Sequence, residues 1–78
     1  MTTEKVQLLL AYLGFYPARD VDGIFGKQTR NGVLAFQKSA GLREDGIPGK
    51  QTQAALCSAV AGNAPKEEVG QDIRIRLG

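Results

Sequence analysis

The chain has 78 residues, a net charge of +2, one cysteine and no histidine. A domain of this size keeps only about 3–5 kcal/mol of net core stability, the lone Cys57 excludes an intramolecular disulfide, and the lack of histidine removes the commonest general base and metal ligand. The charge is too small to imply nucleic acid by itself, no apolar run reaches membrane-spanning length, and the first residues enter a helix face rather than a secretory leader, so the sequence reads as a soluble product with no export signal.

Val6, Leu9, Leu10 and Leu13 recur at i, i+3, i+4, i+7 and predict an amphipathic helix over about residues 3–13. Thr2 or Thr3 can cap it, Glu4 suits its first turn, and Gly14 stops it. Phe15, Tyr16 and Pro17 then read as an irregular, surface-facing connection. A second helix is predicted from Lys27 to about Ala40, with Thr29, Val33, Phe36 and Ala40 on one stripe and Gly41 at its end. Gly32 inside it costs about 1 kcal/mol relative to alanine; it is either tolerated or marks the close approach of another backbone.

A third helix is predicted from Lys50 to about Ala61, facing inward with Thr52, Ala55, Leu56, Ala59 and Val60. Cys57, among small residues, reads as a buried or half-buried hydrophobe rather than a nucleophile. Gly62-Asn63-Ala64-Pro65 ends the helix. In the tail, Ile73, Ile75 and Leu77 alternate with Arg74 and Arg76, a period of two. Such a segment needs a partner: the helices, a second copy, or a longer region that it begins. The predicted fold class is therefore all-α, a compact three-helix domain over 1–61 followed by a linker and extended tail over 62–78.

The helices are joined by a sequence used twice. Asp22-Gly23-Ile24-Phe25-Gly26-Lys27-Gln28-Thr29 matches Asp45-Gly46-Ile47-Pro48-Gly49-Lys50-Gln51-Thr52 everywhere except where Phe25 faces Pro48. This predicts two equivalent Asp-Gly-x-x-Gly loops, each a tight turn in which glycine supplies positive φ and the aspartate accepts backbone N–H bonds. The second glycine opens the next helix. Ile24 and Ile47 are read as plugs that pin the loops to the core. The Thr29 and Thr52 hydroxyls are expected to bond back to the loops, and Gln37 to tie a loop to the second helix.

The run Val6-Gln7-Leu8-Leu9, Leu13-Gly14-Phe15, Val21-Asp22-Gly23-Ile24-Phe25-Gly26, Thr29, Val33, Ala35-Phe36-Gln37, Gly41-Leu42, Asp45-Gly46, Gly49, Thr52 and Leu56 resembles the peptidoglycan-binding domain 1 family. The resemblance implies a three-helix domain, appended to bacterial and phage cell-wall hydrolases, that holds the enzyme on peptidoglycan. Gly32 departs from the family's usual alanine, and Lys27 and Lys50 stand where it often has proline. The tail lies outside the match.

On this reading the function is non-catalytic binding at the bacterial wall or periplasm, with peptidoglycan glycan or stem peptide as partner and a wall hydrolase as the associated enzyme. No catalytic residue, metal or cofactor is assigned, and no nucleic acid or membrane. The candidate site is a groove at the start of the second helix. Phe25 and Tyr16 would pack the ligand, Arg30 would pair a stem carboxylate bidentately, and Lys27, Gln28, Asn31 and Leu34 would line the rest. Both helix N-termini add donors for an anion. Asp20, Asp22, Glu44 and Asp45 are the candidate carboxylates for glycoside hydrolysis, but Asp22 and Asp45 are equivalent members of a repeat, which suits a structural role. The Gly49-Lys50-Gln51-Thr52 helix start is a weak DNA-recognition signal, since the same string recurs for a folding reason. The alternative function is an assembly module that recruits a partner strand through the tail.

Overall fold

The computed structural model describes residues 1–63. The expectations for Ile73, Ile75, Leu77 and the rest of the tail lie outside the described residues. The helices are α1 (Thr3–Tyr12), α2 (Lys27–Ser39) and α3 (Lys50–Asn63), with one 3-10 turn, Ala18–Asp20, between α1 and α2. That turn was not anticipated from the sequence. The described residues contain three α-helices and no strand.

Local chemistry sets the helix ends. The Thr2 hydroxyl accepts the Lys5 N–H at 3.2 Å and caps α1. At its other end Gly14 takes a φ of 88°, and the Phe15 N–H closes onto the Leu10 carbonyl at 2.8 Å. The end of α2 repeats this, with Gly41 at a φ of 71° and the Leu42 N–H on the Gln37 carbonyl at 2.8 Å. Both are left-handed closures that only glycine adopts without strain. Each following helix starts on the second loop glycine. Arg30 N–H bonds the Gly26 carbonyl at 3.0 Å, and Gln53 N–H bonds that of Gly49 at 2.8 Å.

The apolar core is small: Val6 and Leu10 from α1, Tyr16 from the connection that follows it, Val33 and Phe36 from α2, and Leu56 from α3. Leu9, Leu13, Phe15, Ala55 and Ala59 pack around it. Phe15 meets Phe36 edge-on, with ring centres 5.8 Å apart, a favoured aromatic geometry. Gly32 has the role of a close-approach residue, because a β-carbon there would stand 3.1 Å from the Phe15 carbonyl oxygen.

Several expectations are corrected. The connection after α1 is not a surface segment, since Tyr16 is only 7% exposed and Phe15 is half-buried. The left-handed turn at Gly14 folds the chain back onto α2, so both rings point inward. Ala40 lies past the last turn of α2 and is exposed. Cys57 is also exposed; it follows Leu56 directly, and one residue along a helix rotates the side chain about 100° off the inner face. Ile24 and Ile47 are not plugs. They are 67% and 63% exposed, and it is the backbone of each that is held.

Candidate functional site

Four polar side chains are buried in the described fold: Gln7, Thr29, Gln37 and Thr52. They form two pairs, one under each loop. Gln7 Oε1 accepts the N–H groups of Asp22 at 3.1 Å and Gly23 at 2.8 Å. Its Nε2 faces Thr29 Oγ1 at 2.8 Å, the Ile24 carbonyl at 3.0 Å, Asp22 Oδ1 at 3.1 Å and Tyr16 Oη at 3.2 Å. Two amide hydrogens are thus shared among four acceptors. Under the second loop Gln37 Oε1 accepts the Gly46 N–H at 2.9 Å, while Nε2 donates to Asp45 Oδ1, Thr52 Oγ1 and the Ile47 carbonyl at 2.9, 3.0 and 3.2 Å. The Tyr16 hydroxyl, which donates to the Asp20 carbonyl at 3.0 Å, belongs to the first loop only.

Each aspartate braces its own turn. Asp22 Oδ1 accepts the Ile24 N–H and Asp45 Oδ1 the Ile47 N–H, both at 2.9 Å. Gly23 and Gly46 supply the positive φ, 78° and 72°. Ile24 and Ile47 thus each have the N–H on a carboxylate and the C=O on a buried glutamine amide, and their side chains are left in solvent.

These bonds shift both acids. The Ile24 N–H, then the Gln7 amide, holds Asp22 below its ordinary 3.8. The Ile47 N–H, then Gln37, with the Arg43 charge adding, does the same for Asp45. A depressed folded-state pKa means that the unfolded chain binds more protons in the acid range, so this contribution to stability is full above the unfolded value and is lost as pH falls through the folded ones. The melting temperature is therefore expected to drop below about pH 4. A double variant, Asp22→Asn with Asp45→Asn, should show a shallower acid dependence in a pH series of thermal melts; an unchanged slope would remove these carboxylates as its source.

The residues expected to bind ligand are distributed unequally. Lys27, Arg30, Asn31 and Leu34 fall at i, i+3, i+4, i+7 of α2, on one face; the first three are exposed and Leu34 is half-buried. Phe25 leads into that face, 42% exposed. Gln28 turns away from it and donates Nε2 to Asp20 Oδ2 at 3.0 Å. Tyr16 is withdrawn into the core as a support of the first loop, because its hydroxyl satisfies a buried network.

The Arg30 side chain lies against the second loop. A β-carbon built on Gly46 would stand 3.0 Å from Arg30 Cγ and Nε. Among the described residues the Arg30 guanidinium has no ion pair or hydrogen bond. No enclosed pocket exists among the described residues. Sequence reasoning missed Gln7 and the outward isoleucines. The signal for Gln7 was the apolar-Gln pair Val6-Gln7, which parallels Phe36-Gln37.

The described residues form a small all-helical module, with loops locked by buried amides and no metal-ligating cluster among them. The chain belongs to the peptidoglycan-binding domain family: the family model described as "Putative peptidoglycan binding domain" matches residues 2–56. It is 39% identical to a "Probable N-acetylmuramoyl-L-alanine amidase" of Bacillus licheniformis, over 83% of this chain and 19% of that protein. It is 43% identical to the N-acetylmuramoyl-L-alanine amidase CwlM of Mycobacterium tuberculosis, over 77% of this chain and 15% of the relative. A spore cortex-lytic enzyme of Oceanobacillus iheyensis is 38% identical over 88% of this chain and 24% of its own length. The chain thus spans less than a quarter of each of these relatives. No solved structure matches it. No described helix is long and apolar enough to cross a membrane.

Proposed function

We propose that this domain is a non-catalytic module that binds peptidoglycan and holds an associated wall hydrolase at the bacterial cell wall. The observation that carries this reading is the family match over residues 2–56, which covers most of the described fold. The matched relatives named as amidases and cortex-lytic enzymes are several times longer than this chain, which fits a targeting piece of a larger enzyme or a partner of one. The two most regular carboxylates, Asp22 and Asp45, are both engaged by backbone N–H groups and depressed in pKa. That suits ionised loop braces, whereas a general acid needs a raised pKa.

The contact face is the exposed side of α2 with Phe25 at its head: Phe25, Lys27, Arg30, Asn31 and Leu34, with Gln28 at the edge and Tyr16 beneath as support. Arg30→Ala and Phe25→Ala should keep the helical circular dichroism of the parent and lose most of its sedimentation with purified sacculi. Undiminished binding by both folded variants would sink this face. The isolated chain should leave the turbidity of a sacculus suspension unchanged; clearing would overturn the non-catalytic assignment.

A further inference from the structure

The two isoleucines are an unusual use of apolar surface. Burying such a side chain contributes about 1.5–3 kcal/mol, yet this small domain leaves Ile24 and Ile47 more than 60% exposed. Neither is loose. The N–H of each bonds an aspartate at 2.9 Å and the C=O of each bonds a buried glutamine, at 3.0 Å for Ile24 and 3.2 Å for Ile47. A side chain presented from a fixed backbone loses less entropy on binding than one on a mobile loop. The loops are rigid mounts for two outward aliphatic groups.

The two mounts are joined through α2. Its first turn starts at Gly26, directly after Ile24 and Phe25, and Arg30 in that turn lies on Gly46, the neighbour of Ile47. Arg30 therefore reaches from the first loop to the second, carrying a guanidinium that is unpaired among the described residues. These four side chains offer two branched aliphatic groups, one phenyl ring and one guanidinium that is unpaired among the described residues. The guanidinium is the complement of a carboxylate, which it takes through two parallel hydrogen bonds. The aliphatic groups suit small apolar side chains, and they supply none of the hydrogen-bond partners that the hydroxyls of a sugar ring require.

We propose that the two loops form one recognition surface, with Ile24 and Phe25 on the first, Ile47 on the second and Arg30 between them, for a short aliphatic peptide bearing a free carboxylate. Resting on the wall-binding reading above, this makes the stem peptide, rather than the glycan strand, the ligand within peptidoglycan.

The test is an NMR titration of the full chain with N-acetyl-Lys-D-Ala-D-Ala, with its C-terminal carboxamide and with an N-acetylglucosamine oligomer. In parallel, sedimentation is measured with intact sacculi and with sacculi stripped of peptides. Amide shifts are expected at Ile24, Phe25, Arg30 and Ile47 with the free acid. Amidation of the peptide, and Arg30→Gln, should each weaken binding roughly tenfold, the scale of one charge-assisted pairing. Ile47→Ser, remote in sequence from α2, should weaken it several-fold, about the value of one apolar contact, with an unchanged melting temperature. Equal affinity for acid and amide, no effect of Ile47→Ser, or a preference for the oligosaccharide would overturn the proposal. Equal sedimentation with intact and stripped sacculi would overturn it and leave the wall-binding module standing. Peptide binding without sedimentation on either sacculus would support this surface and overturn the module reading; binding to neither would overturn both.

Discussion

Gln7→Leu should unfold most of the population at room temperature. The substitution keeps the size of the side chain and removes both of its polar ends. The N–H groups of Asp22 and Gly23 then lose their acceptor, and the Ile24 carbonyl and Thr29 hydroxyl lose a donor. Leaving buried or half-buried polar groups unmatched costs about 1–3 kcal/mol each. Two or three of them amount to the roughly 3–5 kcal/mol that a domain of this size holds in all. Gln37 has four polar partners where Gln7 has six, so Gln37→Leu should be the milder of the two. Urea titrations followed by circular dichroism read both. A Gln7→Leu midpoint equal to the parent's would show that the first loop stands without its buried amide.

Gly32→Val should lower the melting temperature by roughly 10 °C, the equivalent of about 2 kcal/mol in a domain of this size. The β-carbon alone would lie 3.1 Å from the Phe15 carbonyl oxygen and 3.4 Å from Leu10 Cδ1. That carbonyl cannot easily swing away. The Phe15 N–H is closed onto Leu10, and its ring is packed edge-on against Phe36. Gly32→Ala sets the same contact against a helix-propensity gain of about 1 kcal/mol, so it should change stability far less than valine. The pair of variants separates crowding from propensity. If valine were as stable as glycine, the space between α2 and the Phe15 turn would be larger than these distances imply.

Both predictions come from tertiary contacts that sequence periodicity does not encode. The helices themselves were legible. Val6, Leu10, Val33, Phe36 and Leu56, placed inward by their 3.6-residue spacing, are buried. The glycine stops fall where expected, because positive φ at Gly14 and Gly41 is a local steric matter. The bonds from Asp22 and Asp45 into their own turns were legible for the same reason, since each spans two residues.

The site was less legible. Ile24 and Ile47 were read as anchors on hydrophobicity alone, whereas the fold anchors their peptide groups through a glutamine 17 residues away for Ile24 and 10 for Ile47. Tyr16 was read as a ligand-facing ring because its connection lacks periodicity. Its burial depends on where the Gly14 turn sends the chain. The contact of Arg30 with Gly46 joins two segments whose sequence separation carries no pattern at all.

By itself, then, the sequence determined the three helices, their stops and the self-bracing of each Asp-Gly turn, since these depend on dihedral preference and on neighbours a few residues apart. Only the tertiary structure decided which polar side chains are buried beneath the loops, which apolar ones are held outward, and that Arg30 bridges the two turns. Those outcomes depend on satisfying buried hydrogen-bonding groups between distant segments, a condition that exists only once the helices are packed.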